Sequence, residues 1–238
     1  HLEPLSPADH ARLQAYAEGE GVDLCLQPGG PDTVARLDGS ACPPLEYRLP
    51  EYGVVLRFLP TDFVQVNAGI NRAMIARALE QLDPGPQETV LDLYCGLGNF
   101  ALPLARSARR VVGVEGDPGL VARARDNARA NGVDNVELHV ADLAAAGTLD
   151  EAPWLRAGAR KWLLDPPRSG AAEVVDLLGR LPAQARPERI VYVSCNPATL
   201  ARDAGALVHA HGYRLLRAGV MDMFPHTSHV ESMAVFER

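Results

Sequence analysis

The sequence predicts an α/β fold, a mostly parallel, doubly wound sheet with helices on both faces. Three observations carry this. From about residue 60 onward, short apolar runs of strand length alternate with longer runs of helical period. A glycine-rich turn, Gly96-Leu97-Gly98, follows the first of those strands. The run Ile190-Val191-Tyr192-Val193 breaks at Ser194-Cys195-Asn196-Pro197 into a helix, which puts a cysteine at the carboxyl end of a strand.

The elements follow in order. Ser6 can cap a helix over 6–18, with Pro7 in its first turn. Strands are expected at 45–49 and 54–59, around the turn Pro50-Glu51-Tyr52-Gly53. Residues 1–59 thus form a small α+β segment, read as the remnant of an N-terminal or central domain, and 60–238 a second domain. A helix over 68–82 sets Ile70, Met74, Ile75, Ala78, Leu79 and Leu82 on one face and ends at Asp83-Pro84-Gly85-Pro86. Then come a strand at 89–94, a helix over 99–107 containing Pro103, a strand at 110–115, and a helix over 118–131 closed by Gly132. Strands at 136–140 and 161–164, a helix over 171–181 and the Cys195 unit follow. There Asn196 is the expected N-cap and Pro197 the first helical residue. The last two strands are expected at 213–221 and 232–237.

Composition narrows the class. A hydrophobic content of 47% in 238 residues is enough for a full core, and no apolar run approaches the ~18 residues of a membrane span. A net charge of −7 argues against a stand-alone nucleic-acid binder. Cys25, Cys42, Cys95 and Cys195 lie far apart without a CxxC pair, so neither a disulfide framework nor a zinc site is expected, and a reducing cytosol is. No signal-peptide pattern is present, and the chain opens on His1 rather than Met, as a fragment would.

The acidic residues indicate the ligand. Gly96-Leu97-Gly98-Asn99-Phe100-Ala101 also fits a dinucleotide fingerprint. Asp92, near the end of the first strand, would repel a pyrophosphate and suits a cationic ligand such as S-adenosylmethionine. Glu115 closes the second strand, where a carboxylate can accept both ribose hydroxyls. Asp142 follows the third strand and could face the adenine amino group; Asp165 follows the fourth. Each acid alone is more simply an N-cap or a solvated loop residue, but four in register favour a methyl donor over NAD. Cys195 before a helix N-terminus has two readings, a small buried hydrophobe or a thiolate whose pKa the helix lowers.

VLDLYCGLGNF, VGVEGD, LLDPPRSG, IVYVSCNPATLARD and MDMFPHTSHVESM, preceded by DFVQVN, together resemble the bacterial RNA (uracil-5)-methyltransferases of TrmA/RumA type. HTSHVESM and SCNPATLARD look closest to the RumA/RlmD branch, which acts on 23S rRNA. The likeness runs from about residue 60 to the end. It implies a Rossmann-like class I S-adenosylmethionine-dependent methyltransferase fold and a cytoplasmic, monomeric enzyme with RNA, foremost 23S rRNA, as partner. It also implies a preceding RNA-binding domain and an iron–sulfur cluster, neither visible in these residues, and no metal in the catalytic part. It carries methyl-donor binding onto Gln65, Tyr94, Asn99, Glu115, Asp142 and Asp165 beside the loop glycine Gly96, the nucleophile onto Cys195, and the base onto Glu231. Tyr94 stands where Phe is frequent, and Pro167 where close relatives carry Ala.

The chemistry implied is covalent. Addition of a thiolate to C6 of uracil makes C5 nucleophilic, and a base must later remove the C5 proton. From pattern alone Glu231 is either that base or a surface acid beside the last strand. Cys95 reads as a packing residue, and His226 and His229 as loop residues near substrate. Phe63 and Phe224 read as stacking platforms or core, Arg168 and Arg202 as phosphate contacts or ion pairs. Two rivals belong to other classes. An amino methyltransferase would use Asp165-Pro166-Pro167 followed by an aromatic, where Arg168 stands. A non-catalytic RNA-binding relative would have no need of Cys195 and Glu231. Within the family the alternative is a tRNA uracil-5-methyltransferase.

Overall fold

The computed structural model describes residues 4–145, 149 and 152–238; the expected first segment begins three residues earlier, outside them. The chain divides into two compact units, His1–Tyr47 with Arg57–Phe63, and Arg48–Leu56 with Val64–Arg238.

In the smaller unit, helix α1 (Pro7–Glu20) begins with a capping box. Ser6 Oγ accepts from the Asp9 N–H, and the Asp9 carboxylate accepts from the Ser6 N–H. Short strands β1 (Cys25–Leu26) and β2 (Ala35–Arg36), absent from the sequence-based expectation, pair antiparallel. Past β2 the chain doubles back at Gly39, whose φ is +81°, and Cys42 meets Cys25 in a disulfide with Cα atoms 6.3 Å apart. This corrects the expectation of no disulfide: the partners are 17 residues apart, and only a hairpin followed by a tight turn brings them together. Strands β3 (Leu45–Leu49) and β4 (Val54–Phe58) form a two-stranded sheet.

The larger unit is the expected α/β sheet. It contains α2 (Ala68–Leu82), β5 (Thr89–Leu93), α3 (Ala101–Leu104), β6 (Arg110–Glu115), α4 (Pro118–Ala130), β7 (Val136–Val140), β8 (Lys161–Leu164), α5 (Ala172–Arg180), β9 (Arg189–Ser194), α6 (Pro197–His209), β10 (Arg214–Met221) and β11 (Glu231–Glu237). Two differences have local causes. Strand β5 stops at Leu93 because Tyr94 turns to a φ of +65°, a conformation few non-glycine residues adopt. The helix expected at 99–107 shrinks to α3, in which Pro103 has no N–H to give.

The sheet order is β10-β11-β9-β8-β5-β6-β7, with β9 through β7 parallel and β10 and β11 antiparallel. The chain leaves β5 toward β6 and β7, then returns to β8 on the other side. A crevice opens at such a reversal, beyond the carboxyl ends of the strands. One face of the sheet carries Leu91, Val112, Trp162, Ile190, Tyr192 and Phe236 in a core with α5 and α6. The alternate residues face the other way, the side that strand periodicity gives to Val90, Asp92 and Gly113. Gly113 is obligatory there: a Cβ would lie 2.7 Å from Leu138 and 2.9 Å from Cys95 Sγ. Cys95 is therefore a packing residue.

Candidate active site

The caps that start the helices also fix the strand ends. Asn67, Asp117 and Asn196 each cap a helix by accepting from a backbone N–H, at Ile70 (3.2 Å), Leu120 (2.9 Å) and Ala198 (3.1 Å). The turn after β5 is held by the acid that closes β6. Glu115 accepts from Gly96 N–H at 3.1 Å through one oxygen and from Asp117 N–H at 2.9 Å through the other. Gly96 has a φ of +53°, and its amide is turned toward that carboxylate.

Four acids converge electrostatically on the crevice. Asp92 has no solvent exposure, and neither carboxyl oxygen has a well-formed hydrogen bond. Burial pushes it well above the usual carboxylate range; the charges of Asp165 and Glu115 add to the rise, which a backbone contribution from Ala101 only partly offsets. Asp165, half-buried and tied to β5 through its N–H to Leu93 O at 3.3 Å, is pushed up to about 7 by desolvation. Glu231, 2% exposed, is likewise pushed up to about 7, first by burial and then by Asp165. It is not a surface acid.

Cys195 and Glu231 are brought together by strand pairing. Ser194, the last residue of β9, is opposite Ser232 of β11, and Ser232 Oγ donates to Ser194 O at 2.9 Å. One step further along each chain stand Cys195 and Glu231. The half-buried Cys195 thiol is pushed up, first by burial, then by the charges of Glu231 and Asp165, against a smaller lowering by Arg168. This corrects the expected lowering: with two carboxylates beside the thiol, the helix N-terminus does not decide its pKa.

The other expected residues fall into place unevenly. Gln65 lies just before α2, with its side-chain oxygen buried and unpaired. Tyr94, at the end of β5, is raised first by burial and then by Glu173, Asp203, Asp142 and Glu115. Asn99 exchanges amide hydrogen bonds with Asn71, at 2.9 and 3.1 Å. Asp142 is exposed and accepts from Ala144 N–H at 2.9 Å, as a turn residue does. Arg202 takes the ion-pair reading, on Asp203. Arg168 donates to the His229 ring at 2.7 Å, and Phe224 meets that ring edge-on at 5.8 Å. Phe63 is 72% exposed.

Sequence reasoning missed Asn71 and Asp203. The signal for Asn71 was an amide on the apolar face of α2, where a buried polar group needs a partner. No local signal marked Asp203, whose partners lie on β9 and in the loop after β8.

The family described as tRNA (Uracil-5-)-methyltransferase matches residues 47–238. The chain is 58% identical, over its whole length and 52% of the relative, to the 23S rRNA (uracil(1939)-C(5))-methyltransferase RlmD of Stenotrophomonas maltophilia. It is 57% identical, again over its whole length and 52% of the relative, to the protein of the same name from Alkalilimnicola ehrlichii. The chain thus spans about half the length of these curated relatives. Among solved structures, Pyrococcus abyssi tRNA (uracil-54, C5)-methyltransferase in complex with S-adenosyl-L-homocysteine superposes with a TM-score of 0.65 at 32% identity, over 81% of this chain and 44% of that one. M. jannaschii TYW2 in complex with AdoMet, 19% identical with a TM-score of 0.61 over 91% of this chain and 93% of that one, shares the fold.

Proposed function

The chain belongs to the tRNA (uracil-5-)-methyltransferase family, and from that premise we propose that it is the catalytic part of an enzyme that methylates C5 of a uridine in 23S rRNA. The observation that carries the reading is the juxtaposition of Cys195 and Glu231 beyond the Ser194–Ser232 pair, next to a crevice of unneutralised acids. The chemistry of the residues there suits S-adenosylmethionine. Its ammonium and sulfonium groups would find the unpaired Asp92 carboxyl and the unpaired Gln65 oxygen, and its ribose would find Glu115. Tyr94, Gly96, Asn99, Asp142 and Asp165 complete the candidate donor site. When bound, it supplies the methyl group.

The protein's own residues do the rest. The Cys195 thiol gives its proton to solvent, and the thiolate sulfur bonds to C6 as the C5–C6 π pair moves onto C5 and the O4 enolate, leaving C5 electron-rich. After C5 has taken the methyl group, Glu231 accepts the C5 proton and the Cys195–C6 bond breaks, restoring the aromatic base. A carboxyl near pH 7 suits a base that must give up and regain a proton in each turnover.

We read the smaller unit, His1–Tyr47 with Arg57–Phe63 rather than the whole of 1–59, as the end of a preceding α+β domain, the enzyme as a cytoplasmic monomer, and RNA as its macromolecular partner. No helix among the described residues is long and apolar enough to cross a membrane. The test is to map 5-methyluridine in total RNA from cells with and without the full-length gene. Loss of one site in 23S rRNA is the expected result. Loss confined to tRNA would move the assignment to the other branch of the family, and no loss anywhere would refute it.

A further inference from the structure

We propose that Asp203 is a positioning residue that locks the loop after β8 to the nucleophile helix, an inference that rests on the function proposed above. Asp203 is 2% exposed and belongs to neither the acid cluster nor the Cys195–Glu231 pair. Three donors from three parts of the chain converge on its carboxylate. Tyr192 Oη of β9 lies 2.6 Å from Oδ2, the Ala171 N–H at the entry to α5 donates to the same oxygen at 2.8 Å, and Arg202 Nε donates to Oδ1 at 2.8 Å.

The same helix face grips the loop at two further points. Arg202 Nη2 donates to Ser169 O at 2.9 Å, and Asn196 Nδ2 donates to Arg168 O at 3.0 Å. Gly170 is pressed against this cluster at a φ of +82°, and a Cβ there would come within 2.7 Å of Asp203 Oδ2.

The consequence follows from what lies at each end of the clamp. The loop begins at Asp165 and presents Arg168 to His229, two residues before Glu231. The helix begins at Pro197, two residues after Cys195. Asp203 therefore fixes the target-base side of the crevice as one body, while the donor side, built on β5 and β6, has its own anchor in Glu115. An ionised carboxylate only accepts hydrogen bonds, which matches three donors; an amide in its place would aim an N–H at one of them.

The experiment uses the full-length protein, S-adenosylhomocysteine as donor-site probe, and RNA carrying 5-fluorouridine, which traps the Cys195 adduct. Asp203→Asn should lower kcat and the adduct rate about 100-fold, the scale of a 1 Å misplacement of reacting groups. The affinity for S-adenosylhomocysteine and the cooperativity of melting should be retained. Tyr192→Phe, which removes one donor and keeps the charge, should give an intermediate loss. Wild-type adduct rates in both variants would overturn the proposal. So would parallel loss of donor affinity, adduct and cooperative melting, which marks ordinary structural support. If Asp203→Asn does not fold, Tyr192→Phe decides by the same criteria. Failure of the wild-type protein to form any adduct would instead refute the proposed function.

Discussion

Replacing Asp92 with Asn separates stability from ligand binding in opposite directions. The carboxyl is wholly buried, without a well-formed hydrogen bond, beside the acids Asp165 and Glu115. In the free protein it is a liability, since an unsatisfied buried polar group costs about 1–3 kcal/mol. An amide has the same shape, carries no charge and can donate to those neighbours. A gain of about 1 kcal/mol would raise the melting point by about 2–4 °C in a unit of this size. In the complex the same change removes a charge-assisted hydrogen bond of about 1.5–3 kcal/mol, a loss of roughly 10- to 150-fold in affinity for S-adenosylmethionine. The pH dependence has a definite sign. The folded-state pKa of Asp92 is raised, so the native state holds its proton where the unfolded chain has lost it. Wild-type stability should therefore fall as pH rises above about 3.8, the unfolded value, through the raised native value. Asp92→Asn should remove that part of the slope. Glu231, which rises from 4.5 to about 7, leaves a slope of the same sign in that window. Calorimetric titration and melting of the full-length variant from pH 5 to 8 test all of this. Unchanged donor affinity together with an unchanged pH slope would refute the reasoning.

Cys195→Ala should abolish the adduct with 5-fluorouridine RNA on a denaturing gel while leaving calorimetric donor affinity nearly intact; a surviving adduct would move the attack to another residue. Glu231→Gln should leave attack and methyl transfer possible but stall elimination. Natural RNA would then accumulate as a slow-migrating protein adduct carrying label from the donor methyl, and turnover at the wild-type rate would remove Glu231 from the role of base. Glu115→Ala should weaken donor binding ten-fold or more, since the lost hydrogen bonds to a charged group contribute about 1.5–3 kcal/mol. Because Glu115 also holds the Gly96 and Asp117 amides, its loss should lower the melting point as well.

The strands of the large sheet were legible because buried parallel strands are written as unbroken apolar runs, as at β5, β6 and β9. Helix starts were legible where a cap and a proline coincide, as at Asn196-Pro197 and Asp117-Pro118. The family likeness, not periodicity, put Cys195 and Glu231 in one site; strand register then supplied the physical reason. What escaped was set by contacts distant in sequence. Cys25 and Cys42 meet only after a hairpin and a turn, and the Asp203 cluster joins residues up to 32 positions apart. The local rule about helix ends does not give the pKa of Cys195, because burial first, and then the two carboxylates that the fold sets beside it, push it the other way.

The pairing of β9 with β11 acts as a ruler. The spacing of nucleophile and base is set by the six-pair ladder between β9 and β11, at the end where Ser194 meets Ser232, and owes nothing to the length of the connection between β10 and β11. That connection, residues 222–230, carries Phe224, His226 and His229, and its length can differ without moving the ladder's register, while His229 keeps its contact with Arg168. A one-residue slip in β11 is a different matter: it would turn Glu231 to the opposite side of the sheet and exchange the faces of the buried Ala234, Val235 and Phe236, so core packing and the placement of Glu231 hold the same register.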